Sequence, residues 1–73
     1  MDADQIKELL HAAPFRPFSM VLPIDRVARV PHPDFVSIAP NHRTLIVWKS
    51  RGGGQILDVD SIVELRSGRV GAR

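Results

Sequence analysis

Apolar residues recur at helical spacing in the first thirteen positions and at strand spacing almost everywhere after them. Ile6, Leu9, Leu10 and Ala13 stand at i, i+3, i+4 and i+7, which places them in one stripe down a helix. Asp2 or Asp4 is placed to cap that helix, and Gln5 follows Asp2 at capping-box spacing. Pro14 ends the segment by forcing Ala13 out of helical geometry. A helix of about three turns is marginal in water on its own, so the stripe is expected to pack on another element.

From Phe15 the period changes to two. Phe18, Met20, Leu22 and Ile24 form one apolar face, with Ser19 and Pro23 opposite and Pro17 and Pro23 suited to an edge strand or to strand ends. Asp25-Arg26 is the expected turn, after which Val27 to Val30 resumes extended chain. Pro31 and Pro33 interrupt that ladder, Phe35 to Ala39 runs on as a second strand or the far half of a bent one, and Pro40 to Arg43 turns the chain again. Thr44 to Lys49 is the strongest strand, dense in β-branched and aromatic residues. Gly52-Gly53-Gly54 closes a hairpin, Gln55 to Val59 pairs back, Asp60-Ser61 breaks the run, and Ile62 to Leu65 ends it.

This order of elements is α+β: an N-terminal α-helix followed by about five short antiparallel strands, expected to curl into a small barrel that hides its sheet edges. Residues 1–66 form one such domain, and 67–73, with two glycines and two arginines, read as a flexible tail. The architecture resembles the SH3-like and Sm-like barrels, in which a bent five-stranded sheet follows a helix and a short turn, here Val59 to Val63, precedes the last strand. Sm-like proteins form rings and bind RNA. Their acidic, asparagine-bearing loop has no counterpart here, and Leu65-Arg66-Ser67-Gly68 matches their arginine-glycine step only loosely.

A second likeness rests on Pro14-Phe15-Arg16-Pro17-Phe18, Arg29-Val30-Pro31-His32-Pro33-Asp34-Phe35, the proline turn near 40 and Ile56-Leu57-Asp58. Over residues 5–66 this pattern resembles a set of small bacterial proteins of unassigned function, which usually carry an Ala-Asp-Gly turn in place of the Pro23 to Arg26 segment. The resemblance implies a shared fold and brings no activity with it.

Composition changes this picture in two respects. With 73 residues, no cysteine and no long apolar run, the chain has no disulfide framework, no thiolate nucleophile and no cysteine metal site. The start Met1-Asp2-Ala3-Asp4 lacks the positive charge of a secretory leader, and no run reaches the about 18 apolar residues of a spanning helix, so the expectation is cytoplasmic, with no membrane partner. The formal charge is +2, but residues 1–13 are net acidic and residues 14–57 net basic, and arginine outnumbers lysine eight to two. Arg26, Arg29, Arg43, Lys49 and Arg51 are therefore candidate nucleic-acid contacts.

Other candidate chemistry is sparse. His32-Pro33-Asp34 is the tripeptide of the J-domain co-chaperones, but here it lies between extended segments rather than two long helices. A structural bend is expected instead, with His32 and Asp34 bonded to nearby backbone and Phe35 anchored in the core. His11, His32 and His42 with Asp34, Asp58 and Asp60 fall short of a metal-ligand pattern, and Asp58 and Asp60 read as a solvated face or as arginine partners. The hydroxyls lack a nucleophile elbow, and the triple glycine lacks the lysine of a phosphate loop. No enzyme activity, metal or cofactor is expected. If Leu45 and Val47 face the core, Ile46 and Trp48 face outward as a candidate interface. The chain is thus expected to be a non-enzymatic interaction module that self-associates as a homo-oligomer or binds a protein partner; the alternative is RNA or DNA binding through an arginine-rich face.

Overall fold

The computed structural model describes residues 2–67. Helix α1 spans Ala3–Leu10, with Asp2 as its cap: the Asp2 side chain accepts from the Asp4 N–H at 3.1 Å, and the Gln5 side chain accepts from the Asp2 N–H at 3.3 Å. These reciprocal bonds satisfy N–H groups that the first turn of a helix leaves without partners. Ala3, Ile6 and Leu10 are buried and Leu9 packs at their margin. The helix ends at Leu10, with the His11 N–H on the Lys7 carbonyl, three residues before Ala13, which is exposed.

Six strands follow among the described residues, where about five were expected. They are β1 (Phe18–Leu22), β2 (Arg26–Val30), β3 (Val36–Ile38), β4 (Thr44–Trp48), β5 (Gly54–Asp58) and β6 (Glu64–Ser67). The extra strand comes from the His32-Pro33-Asp34 segment. His32 Nδ1 accepts from the Asp34 N–H at 3.3 Å and Pro33–Phe35 form a single 3-10 turn, so the extended chain is cut into β2 and β3. Its halves then enter different sheets.

All strand pairs are antiparallel, in two three-stranded sheets of order β2-β1-β6 and β3-β4-β5. The α+β class is therefore as expected, but the barrel is not closed, because among the described residues each sheet keeps its own two edges and no strand ladder joins them. The faces that meet are apolar. Phe18, Met20 and Leu22 of β1, Ala28 and Val30 of β2, Leu45 and Val47 of β4 and Leu57 of β5 join Ile6, Leu10, Val59 and Ile62 in one buried cluster. Pro17 and Pro23 lie just beyond the two ends of β1, which lets that strand pair on both sides.

Three local expectations are corrected. Ile24 leaves the apolar face: Pro23 to Asp25 form the turn, Ile24 and Asp25 have φ of 63° and 58°, and Arg26 already belongs to β2. Phe35 is half-buried and lies outside the core cluster. Ser67 belongs to β6, opposite Phe18, while residues 68–73 of the expected tail lie outside the described residues.

Candidate interaction surfaces

The β3-β4-β5 sheet turns one face to the core and the other to solvent. Strict alternation along β4 buries Leu45 and Val47 and leaves Ile46 half-buried and Trp48 44% exposed. Register places Ile56 of β5 opposite Ile46, and Ile56 is 74% exposed. Sequence reasoning missed Ile56, although it alternates with the buried Leu57 just as Ile46 alternates with Leu45.

Trp48 is held rather than loose. Its Nε1 donates to Ser37 Oγ on β3 at 3.2 Å, and across the β4–β5 pair it faces Gly54. A Cβ at Gly54 would come within 3.0 Å of the Val47 carbonyl oxygen, 3.1 Å of Ile46 Cγ2 and 3.2 Å of Trp48 Cε3, so the glycine makes room for the indole and for Ile46. Ile46, Trp48 and Ile56 thus share the solvent face of one sheet. Gly52 and Gly53, with φ of 104° and 77°, make the hairpin turn beyond them.

The five basic residues occupy different places. Arg29 on β2 and Lys49 just after β4 line a common groove of about 300 Å³, together with Val27, Ala28, Pro31, Phe35, Val47, Trp48, Ser50 and Gln55. Arg26 sits at the hairpin end of β2, and Arg51 lies in the β4–β5 loop two residues after Lys49. Arg43 stands at the β3–β4 turn with Asp60 4.0 Å away, both exposed, a pair worth little in water.

The histidines and acids serve local geometry. Lys7 Nζ approaches His42 Nδ1 at 3.5 Å, which sets α1 beside the β3–β4 turn, and His32 lies against Phe15 with ring centroids 6.4 Å apart. The Asp58 side chain accepts from the Asp60 N–H at 3.0 Å and so caps the 3-10 turn Val59–Ser61 that leads to β6. Among the described residues no group of three or more His, Asp or Glu could hold a metal ion. Within the same residues no helix is long and apolar enough to cross a membrane.

No protein-family model, no curated protein and no solved structure matches the chain.

Proposed function

We propose that this protein is a non-catalytic interaction module of the SH3-like or Sm-like barrel kind that assembles with copies of itself through the solvent face of the β3-β4-β5 sheet. The observation that carries the reading is the apolar row on that face: Ile46 paired with Ile56, and Trp48 beside them on the same strand as Ile46. Aliphatic and aromatic side chains gathered on one sheet face are the usual content of an interface centre, whereas singly exposed ones are ordinary surface. The N-terminal helix and the short 3-10 turn before β6 support the barrel kinship. Nucleic-acid binding would draw on Arg26, Arg29, Arg43, Lys49 and Arg51 as one track. Arg43 stands beside Asp60 while Arg29 and Lys49 line a groove, and this spread favours self-association.

Light scattering coupled to size-exclusion chromatography tests the reading. At high protein concentration the wild type is expected to run as a dimer or larger ring, without nucleic-acid absorbance and with little change between low and high salt. Ile46→Glu and Ile56→Glu should each give a folded monomer by circular dichroism. A wild type that stays monomeric at millimolar concentration overturns the proposal, and a salt-sensitive peak carrying nucleic acid replaces it with the other reading.

A further inference from the structure

The groove between the two sheets has walls of unlike kind. On one side it is lined by Val27, Ala28 and Arg29, three consecutive residues of β2. Successive strand residues point to opposite faces, so a groove touching all three runs along the edge of the strand and not across either face. That edge is unpaired, since β2 is the outer strand of its sheet and bonds only to β1 among the described residues. Opposite it, Val47, Trp48, Lys49 and Ser50 form the second wall, with Gln55 across the hairpin and Phe35 from the 3-10 turn. The His32-Pro33-Asp34 turn separates β2 from β3, and among the described residues no ladder joins β2 to β4.

Charge and register define what fits there. No acidic side chain lines the groove, while Arg29 and Lys49 stand on its two walls with no ion pair among the described residues. We propose that this groove binds an acidic peptide in extended conformation, which adds as a strand to the free edge of β2 and fills the opening between the sheets. A residue set opposite the buried Ala28 would point inward beside Val47 and Phe35 and is best small and apolar. Its neighbours would point outward, one of them opposite Arg29, in a groove that Lys49 also lines, and are best Asp or Glu. Pro31 has no N–H to offer and bounds the pairing, so the match is about five residues long. A single-stranded nucleic acid would have use for Trp48 and the two cations but none for a strand edge.

Trp48 is the one tryptophan of the chain and lines the groove, so its fluorescence reports occupancy, and titrating the Ile56→Glu form as well separates that signal from self-association. The probe is a blocked pentapeptide alternating Asp and Val, titrated into the full-length protein alongside an Asp-to-Lys version and oligo(dT). The acidic peptide is expected to shift the emission saturably, the basic version not at all. Methylating alternate backbone nitrogens discriminates further, because only every second N–H of an added strand faces its neighbour: one alternate set should abolish binding and the other preserve it. Arg29→Glu combined with Lys49→Glu, both exposed positions, should weaken binding at least about tenfold with an unchanged circular dichroism spectrum. Ile56→Glu, outside the groove, should bind as the wild type does whatever its oligomeric state. The proposal is overturned if the acidic peptide gives no shift, if both methylated sets bind like the parent, or if oligo(dT) binds and the peptide does not.

Discussion

Ile24 shows most clearly where a residue's place departs from its pattern. It continues the alternation of Phe18, Met20 and Leu22, yet it stands 89% exposed in a left-handed turn conformation, a region that β-branched side chains avoid. The alternation was legible; the point at which the chain reverses was set by Pro23 and the hairpin register, which alternation does not encode. Ile24→Asn, which tolerates that conformation and removes no buried surface, should stabilise the protein by about 1 kcal/mol and raise the thermal midpoint by about 4 to 8 °C. An unchanged or lowered midpoint would refute it. Gly54 makes the opposite case, since its neighbours leave a Cβ only 3.0 to 3.2 Å of room. Gly54→Ala should cost about 1 to 3 kcal/mol in urea denaturation and alter the emission of Trp48, whereas a silent substitution would mean the indole is free to move.

At the scale of elements, β4 and the start of α1 followed from the sequence because each carries its pattern locally, unbroken β-branched alternation in one and a capping box in the other, whereas the helix stops at Leu10 and leaves Ala13 of the expected stripe exposed. Asp2→Ala should therefore lower stability by about 1 kcal/mol through the cap alone, with Asp2→Asn close to neutral; equal losses from both would place the effect elsewhere. The strand count was not legible in the same way. Two prolines announced an interruption between Val30 and Val36, but whether the chain bends within one sheet or passes to another depends on which edges are already occupied. The same limit applied to the groove. Ile46 and Trp48 could be set outward by alternation, while the approach of Arg29 to Lys49 depends on how two sheets separate around a 3-10 turn.

For the whole molecule, one buried cluster serves the helix and both sheets, so neither sheet has a core of its own. Met20, Leu45, Val30 and Ile6 are its fully buried large side chains. A domain of this size retains about 3 to 5 kcal/mol, and truncating a buried Met or Leu to Ala removes about 2 to 5 kcal/mol, so Met20→Ala or Leu45→Ala should leave the chain largely unfolded at 37 °C. Because the cluster is shared, Met20→Ala in one sheet should reduce hydrogen-exchange protection in β4 of the other to the same extent as in β1; protection persisting in β4 alone would show two independent units.

The pairing of Phe18 with Ser67 puts the entry to β1 and the exit from β6 side by side at one end of an antiparallel ladder. Tension applied through the two ends of the chain therefore falls on a single rung at a time, and the ladder unzips instead of shearing along its length. A domain held between two attachment points in this way makes a weak strut.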